Sequence, residues 1–201
     1  MLYRGHGKRP EVALTYDDGP GTSTRAILDL LAAHGARGTF FMVGSEVQRD
    51  PELAREVVTA GHDVGSHSMH HLDHESVGAA ASVADMIDGA HAVEGVLGFE
   101  PRLYRAPYGH FVPATVAAAR ERGWTCVHWS AMGEDWDEYA TGRSVADRIL
   151  PDLVAGAIVL LHDSRRAKAM NPEPVIDATR LLLEEMERRS LRGVGVHDIL
   201  L

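Results

Sequence analysis

Residues 11–20 have the sequence EVALTYDDGP. Most of the first six side chains are aliphatic, β-branched or aromatic, which is typical of a short buried strand. The run ends at two adjacent carboxylates, Asp17 and Asp18, followed by a Gly-Pro pair, and these residue types favour a turn. The sequence therefore predicts a strand over 11–16 that presents two carboxylates just beyond its carboxyl end.

Apolar strand-like runs alternate with amphipathic helical stretches along the rest of the chain. Further strands are predicted at 39–43, 62–65, 102–105, 125–129, 157–162 and 193–196. Helices are predicted at 23–34, 51–60, 79–97, 113–122, 144–154 and 173–189. This alternation is typical of parallel strands wrapped by helices, and about seven such units suit a barrel better than an open sheet. The predicted fold is α/β, a distorted, incomplete (β/α) barrel of about seven parallel strands.

Some boundaries are also predicted. Ser76 or Ser82 is expected to open the helix over 79–97, and Gly35 to end the first helix. The loop around 164–174 is expected to be the most mobile segment.

The composition limits the class of protein. With 201 residues, 45% of them hydrophobic, the chain can bury a full core, and its length predicts one domain over residues 1–201. The net charge of −9 disfavours nucleic acid or an anionic membrane as a partner. A single cysteine, Cys126, excludes an intrachain disulfide. The amino terminus has no apolar segment typical of signal peptides, so the chain as written is expected to be cytoplasmic; a secreted protein trimmed of its export signal would have the same features.

Five polar clusters follow predicted strands. They contain, in chain order, Asp17 and Asp18; His67 and His71; Arg105; Asp135 with Trp136; and His162 with Asp163. Each has an ordinary structural explanation when taken alone, as a turn, a solvated loop, an ion pair, a packing residue or a buried histidine. The carboxyl ends of strands in a βα barrel converge on one face, where active sites form. The joint placement therefore predicts a single site.

Two imidazoles and one carboxylate form a suitable ligand set for a divalent metal such as zinc, cobalt or nickel. A second carboxylate in the Asp17-Asp18 pair is then left beside the metal, and this combination is the equipment of metal-assisted hydrolysis. The histidines are ambiguous by spacing, because on a helical turn His67 shares a face with either His70 or His71. His70 is therefore the most credible rival ligand.

Four segments together resemble a known family. TYDDGP at 15–20, HSMHH at 67–71, RAPYG at 105–109 and LLH at 160–162 resemble, in the same order, motifs of the NodB-type polysaccharide deacetylases, carbohydrate esterase family four. A further motif departs from the family pattern Asp-x-x-Asp-Trp, since MGEDW at 132–136 has Met132 in place of the first acid. The resemblance implies the NodB-type deacetylase fold, and the departure bears on substrate preference rather than on the chemistry.

The resemblance implies a role for each residue of the metal side of the site. Asp18, His67 and His71 would hold the metal, and Asp17 would act as general base for the attacking water. Arg105 would hold Asp17 in place and keep it ionised, because a nearby cation favours the charged carboxylate.

The resemblance also implies the acid and the substrate contacts. His162 would protonate the leaving amine, and Asp135 would raise its pKa so that it is cationic. The backbone N–H of Tyr108 would join the metal in stabilising the oxyanion. Trp136 and Leu160 would form an apolar wall for the acetyl methyl group. No role is implied for His6, His70 and His74, which are interpreted as loop residues.

The predicted function is that of a metal-dependent hydrolase, with zinc, cobalt or nickel, that removes an acetyl group from an N-acetylated amino sugar in a chitin oligomer, peptidoglycan or related glycan. A small intracellular acetamide and O-acetylated xylan are the alternative substrates. Aromatic residues make up only 6% of the chain, which leaves few platforms for a polymer. Two other classes are a non-haem iron oxygenase, which shares the ligand set but uses antiparallel scaffolds, and an inactive metal-binding glycan module.

Overall fold

The computed structural model of the chain describes residues 1–164 and 171–200, so most of the loop predicted to be mobile lies outside the described residues. The strands are β1 (Glu11–Asp17), β2 (Gly38–Met42), β3 (Asp63–Ser66), β4 (Leu103–Tyr104), β5 (Thr125–Cys126), β6 (Ala131–Met132), β7 (Ile158–His162) and β8 (Arg192–Gly193). The helices are α1 (Thr24–Ala33), α2 (Gly44–Arg49), α3 (Pro51–Thr59), α4 (His74–Val77), α5 (Ala79–Leu97), α6 (Pro113–Glu121), α7 (Gly142–Ile149), α8 (Glu173–Arg188) and α9 (Val196–Ile199).

The strands form one parallel sheet in the order β5-β4-β3-β2-β1-β7-β6, and β8 pairs with the start of β1. β5 and β6 lie at opposite edges of this order, yet only residues 127–130 separate them in the chain. The chain takes five Cα–Cα steps from Cys126 at the end of β5 to Ala131 at the start of β6, and these span at most about 17 Å when fully extended. The two edges of the sheet must therefore face each other across a narrow gap. The sheet is therefore curled into a half-barrel of seven parallel strands, and the predicted fold class is confirmed.

The central strand β1 is buried along its whole length. Val12, Leu14 and Tyr16 belong to the main core between the sheet and the surrounding helices. Successive side chains of a strand point to opposite faces, so Thr15 and Asp17 point into the curl of the sheet. A strand covered on both faces accounts for the nearly continuous apolar run that predicts it.

Two predicted strands differ from the structure. The strand predicted at 125–129 is divided into β5 and β6, because residues 127–130 leave one edge of the sheet and reach the other. The carbonyls of Val127 and His128 accept hydrogen bonds from Arg105 instead of from a neighbouring strand. The strand predicted at 193–196 is β8 followed by the start of α9.

One helix cap, one helix end and two short helices also differ from the prediction. α5 begins after Gly78 rather than at a serine cap, and the Ser82 hydroxyl donates to the Gly78 carbonyl within its first turn. The helix predicted to reach 154 ends at Ile149, and Pro151 lies in a short 3-10 turn after it. α2 and α4 were not predicted, because segments this short show no periodicity.

Among residues 1–164 and 171–200, no helix is both long and apolar enough to cross a membrane.

Candidate active site

The carboxyl end of β1 places the two aspartates side by side in the mouth of the half-barrel. Asp17 is the last residue of the strand, and its Oδ1 lies 2.7 Å from Nη1 of Arg105. Asp18 follows with a φ of 76°, in the left-handed region, and both side chains are buried. The reversal of the backbone at Asp18 turns its carboxylate toward the loop that follows β3, where Oδ1 comes within reach of two histidines.

His67 and His71 lie in a loop of non-regular structure rather than on a helical turn. Ser68 and His71 have φ values of 66° and 55°, so the loop reverses twice between the two ligand positions. The two imidazole rings meet edge to face, with centroids 4.9 Å apart. The helical spacing argument for this pair was therefore wrong, although the loop brings His67 and His71 together.

Asp18, His67 and His71 form a group whose ligand atoms all lie within 4.8 Å of one another. Asp18 Oδ1 is 3.1 Å from His71 Nε2 and 3.6 Å from His67 Nε2. Two ligands of a tetrahedral ion with bonds of about 2.1 Å are about 3.4 Å apart, which is close to both distances. Asp18 Oδ1 is also buried without a hydrogen-bond partner among the described residues. The donor set and this orphaned oxygen fit a divalent metal.

The hydrogen bonding of His67 sets its tautomer. Nδ1 lies 2.8 Å from the carbonyl oxygen of Arg105, and a carbonyl can only accept, so Nδ1 carries the proton. Nε2 is then the unprotonated nitrogen, and it faces Asp18. Burial lowers the pKa of His67 to about 4, against the opposing effect of Asp17, so the ring is neutral at pH 7. A neutral imidazole oriented through its second nitrogen is the form that binds a metal.

The histidines around Asp18 favour its ionised form. Burial by itself would raise the pKa of Asp18, but the His71 side chain, followed by His162 and His67, lowers it to about 2. Asp18 is therefore a carboxylate across the physiological pH range, as a metal ligand must be.

Arg105 is a fully buried cation that connects Asp17 to the gap between the sheet edges. Nη1 donates to both Asp17 and the Thr15 hydroxyl at 2.7 Å. Nε and Nη2 donate to the carbonyls of Val127 and His128. Burial lowers the pKa of Arg105 and Asp17 opposes that effect, but a guanidinium stays charged. Arg105 thereby fixes Oδ1 of Asp17 and leaves its Oδ2 facing His67, 3.7 Å from Nε2.

His162 ends β7 directly beside Asp17, because the two residues are paired in the register of β1 and β7. Its Nδ1 lies 2.9 Å from Oδ1 of Asp135, and its backbone N–H donates to Oδ2 of the same carboxylate. Burial would lower the pKa of His162, but Asp135 outweighs it and raises the pKa to about 9. The edge of Trp136 packs against the His162 ring, with centroids 5.3 Å apart.

The other predicted substrate contacts lie around this group. Tyr108 has a φ of 57° and a side chain that is 61% exposed, and its backbone N–H has no hydrogen bond to any residue that the structure describes. Leu160 is buried two residues before His162, on the same face of β7. Met132 is the register partner of Leu160 on the edge strand β6. The neighbouring Ala131 packs in the core on the helix side, so Met132 points into the curl.

The histidines without an implied role are separate from the ligand group. His6 is exposed near the amino terminus. His70 is turned away, with its Nδ1 3.1 Å from Asp85 Oδ1 and a side chain that is 58% exposed. His74 is not a loop residue, because it is buried at the start of α4, where its Nδ1 lies 3.3 Å from the Tyr104 hydroxyl.

Two polar residues that the sequence analysis did not single out, Thr15 and Asp85, support the site, together with Asp163, which follows His162 in the fifth polar cluster. Thr15 accepts from Arg105, and its position two residues before Asp17 on one strand face was the available signal. Asp163 is fully buried beneath Gly19, where a Cβ would lie 2.2 Å from its carboxylate, and burial raises its pKa to about 7. Asp85 contacts the histidine loop from α5, and because Asp88 and Glu94 are acids of the same helix, nothing in the sequence singled out Asp85.

The comparisons with known proteins agree on the family. Residues 4–127 match the family model for polysaccharide deacetylases. A Bacillus cereus peptidoglycan-N-acetylglucosamine deacetylase is 34% identical over 191 residues, covering 94% of this chain and 87% of that protein. A Bradyrhizobium chitooligosaccharide deacetylase is 32% identical over 197 residues, covering 94% and 88%.

A solved structure agrees over nearly the whole chain. It is a peptidoglycan N-acetylglucosamine deacetylase in complex with 4-naphthalen-1-yl-N-oxidanyl-benzamide, with a TM-score of 0.91 and 25% identity, covering 98% of this chain and 91% of that one. The chain belongs to the NodB-type polysaccharide deacetylases of carbohydrate esterase family four.

Proposed function

We propose that this protein is a metal-dependent deacetylase that removes the acetyl group from an N-acetylated amino sugar. The observation that supports it best is the register of β1 and β7, which sets Asp17 beside His162 at the mouth of the half-barrel. The buried group of Asp18, His67 and His71 lies next to this pair. A general base, a general acid and a metal-ligand set in one cleft are the parts that amide hydrolysis requires.

Asp18, His67 and His71 would hold the metal. When bound, a divalent ion polarises a carbonyl and makes water more acidic. Zinc is proposed, with cobalt or nickel as alternatives, because two imidazoles and one carboxylate suit all of them. The chain prepares the site by itself, since Arg105 fixes the His67 tautomer and the surrounding imidazoles keep Asp18 ionised.

Asp17 is the proposed base, and its two oxygens differ. Oδ1 is engaged by Arg105, whereas Oδ2 lies toward the metal-ligand group. Oδ2 therefore takes the proton from the attacking water, and the cation behind Oδ1 holds the carboxylate in place while it does so. The free backbone N–H of Tyr108 is available to donate to the oxygen that becomes negative.

His162 is the proposed acid. Asp135 binds Nδ1, so Nε2 is the remaining ring nitrogen and donates the proton to the leaving amine. A pKa of about 9 keeps this imidazole protonated at neutral pH, as a proton donor must be before the carbon–nitrogen bond breaks. Trp136 and Leu160 would contact the acetyl methyl group from the side of His162.

The substrate proposal rests on the relatives, which are named as deacetylases of peptidoglycan N-acetylglucosamine and of chitooligosaccharides. A glycan is therefore proposed as the substrate class, and a small acetamide and acetylxylan are the alternatives to be tested beside it. The parallel sheet disfavours an oxygenase, since that class was expected on an antiparallel scaffold.

The direct test is acetate release by protein stripped with EDTA and reloaded with zinc or cobalt. Chitin oligomers, peptidoglycan fragments, acetylxylan and small acetamides form the substrate panel. We expect metal-dependent release from the N-acetylated glycans. If acetate were released from small acetamides alone, the substrate would be a small acetamide rather than a glycan. If no substrate released acetate although metal was bound, an inactive binding module would be favoured.

A matched pair of variants tests the ligand set. His71→Ala is expected to abolish tight zinc binding, whereas His70→Ala, one residue away, is expected to leave the affinity within about threefold, because His70 contacts Asp85 rather than Asp18. The reverse result would make His70 the ligand.

A further inference from the structure

The segment that carries two of the three metal ligands has an unusual backbone. Residues 67–71, here called the ligand loop, lie outside any helix or strand, and two of their non-glycine residues have positive φ values. L-amino acids adopt this conformation only when the surroundings hold it. The contacts that hold the ligand loop therefore decide where the His71 side chain points.

One side of the ligand loop is held by backbone groups of neighbouring elements. His67 N–H donates to the Met42 carbonyl at the end of β2. The first N–H groups of α2, those of Gly44 and Ser45, donate to the carbonyls of Ser68 and Met69. No side chain takes part in these bonds, so a side-chain substitution other than proline leaves them in place.

The other side of the ligand loop rests on α5. A Cβ at Gly89 would lie 2.2 Å from the carbonyl carbon of Ser68, so the helix and the loop meet backbone to backbone. One turn earlier, the carbonyl oxygen of Asp85 accepts from Met69 N–H at 2.8 Å. Oδ1 of the same residue accepts from His70 N–H at 2.9 Å, directly before the ligand His71.

The Asp85 carboxylate also lies close to a buried histidine, His74. The carboxylate is itself buried, and its Oδ2 lies 3.6 Å from Nε2 of His74. His74 in turn lies within 3.4 Å of the Ser68 hydroxyl and 3.3 Å of the Tyr104 hydroxyl. Oδ2 has no hydrogen bond to any described residue, so the carboxylate is packed between α5, the buried His74 and the ligand loop, and Oδ1 makes its bond to the loop.

We propose that Asp85 is the positioning residue of the metal site, which holds the ligand loop in its strained backbone conformation and thereby aims His71 at Asp18. This inference rests on the proposed metal site. Asp85 touches no metal ligand side chain, and its carboxylate is the single side-chain acceptor among the described bonds to the peptide groups of the ligand loop.

Zinc affinity of purified, metal-free protein, measured by competition with a chromogenic chelator, tests the proposal without turnover. Asp85→Ala is expected to weaken zinc binding by about 10- to 100-fold, which is the usual effect of losing an outer support of a ligand. Asp85→Asn keeps an acceptor oxygen for His70 N–H and is expected to stay within about threefold of the wild type. Asp88→Ala, at an exposed position of the same helix, is the matched control and is expected to change nothing.

Two further readouts separate positioning from general stability. The visible spectrum of the cobalt-loaded protein is expected to change in Asp85→Ala and to be restored in Asp85→Asn, while the far-ultraviolet circular dichroism of the metal-free proteins stays the same. In the metal-free wild type, amide exchange at Met69 and His70 is expected to be slowed at least about 100-fold relative to an unstructured chain, because the loop is held before metal binds. This exchange measurement needs no variant and applies even if Asp85→Ala does not fold.

The outcomes are distinguishable. Equal zinc affinity in Asp85→Ala and the wild type, or fast exchange at Met69 and His70, overturns the role of Asp85 and leaves the proposed function standing. A wild-type protein that binds no zinc, cobalt or nickel overturns the proposed metal site and this inference with it.

Discussion

The proposed base and the proposed acid are each one half of a buried pair between a carboxylate and a cation, but the pairs are arranged in opposite ways. On the base side, Arg105 is completely buried and Asp17 faces the ligand group. On the acid side, the Asp135 side chain is completely buried and His162 is 16% exposed. In each pair one partner, Arg105 or Asp135, is completely buried. The other partner, Asp17 or His162, lies toward the cleft and is the one proposed to exchange a proton with substrate.

This difference shows how one kind of interaction supports two roles. A cation behind a carboxylate favours the ionised form, which is a base, whereas a carboxylate behind an imidazole favours the protonated form, which is an acid. Arginine does not lose its proton in the working pH range, so the base side is insensitive to alkali. The acid side depends on an imidazole that titrates, so the two sides can be separated by pH.

The largest expected effect follows from removing the base. Asp17→Asn keeps the shape of the side chain but cannot accept a proton, so kcat is expected to fall by about 10²- to 10⁴-fold. Zinc affinity is expected to stay within a few-fold, since Asp18 rather than Asp17 belongs to the ligand group. Acetate release and chelator competition on the same preparation measure both quantities. Wild-type turnover in the variant would show that Asp17 is not the base.

The next effect concerns stability on the base side. Arg105→Met leaves the buried Asp17 carboxylate without its cation and frees two carbonyls in the gap between the sheet edges. The free energy of unfolding of the metal-free protein is expected to fall by about 3–5 kcal/mol, measured by urea denaturation.

The double variant Asp17→Asn/Arg105→Met is the control for that measurement. It removes the unpaired charge, so about 1 kcal/mol or more is expected to return relative to Arg105→Met alone. If the double variant were as unstable as the sum of the single variants, the charge pair would not account for the loss.

The acid side is expected to show a pH effect instead. His162 donates a proton, so activity is present below its pKa of about 9 and is lost as the pH rises through that value. In Asp135→Asn, burial loses its strongest opponent and only Asp18 and Asp17 still favour the cation, so the pKa of His162 is expected to fall to about its ordinary value of 6.5. At pH 8 the variant is then expected to be about 30-fold slower than the wild type, and at pH 6 within about twofold. Profiles of kcat/KM from pH 5 to 10 make this comparison.

The return of activity at low pH is what separates a lost partner from a damaged structure. A variant that was equally slow at pH 6 and pH 8 would contradict the proposed role of Asp135. His162→Gln is the reference for this profile, because it has no titrating imidazole and is expected to be slow across the whole range.

Much of the fold could be predicted from the sequence, because β1 and α5 have long runs with one clear pattern; α5 spans the predicted 79–97. β4, β5 and β6 have only two residues each, too few for a period to be visible. The crossing at 127–130 was missed for a further reason. Residues 127–130 include apolar residues typical of a strand, and only the curled sheet shows that the chain leaves the β5 edge there and reaches the β6 edge.

The side chains of the site were predictable where a motif defines them, as for Asp17, His67 and Arg105. Their geometry was not. Spacing alone could not choose between His70 and His71, and only the family resemblance favoured His71, because the choice depends on two backbone reversals that bring no glycine with them. Asp85 was equally hidden, since its effect on the ligand loop comes from a helix that is distant in the chain and near in space.

The smallest expected effect concerns the position at which the acid side departs from the family pattern. Met132 is 41% exposed on the edge strand and lies beside Leu160 on the inner face, and Leu160 comes two residues before His162 in β7. Met132→Asp adds a charge at the open edge of the curled sheet, where water screens it. Zinc affinity, and the high pH at which activity falls as His162 loses its proton, are therefore expected to change little. The ratio of kcat/KM between a chitin oligomer and a small acetamide is expected to change by about tenfold or less, because Met132 lies beside Leu160, which is proposed to contact the acetyl group. If the substrate ratio stayed the same but the pH at which activity falls in alkali moved, Met132 would act on the pair of Asp135 and His162 rather than on the substrate. The acid side of the site would then include the edge strand β6.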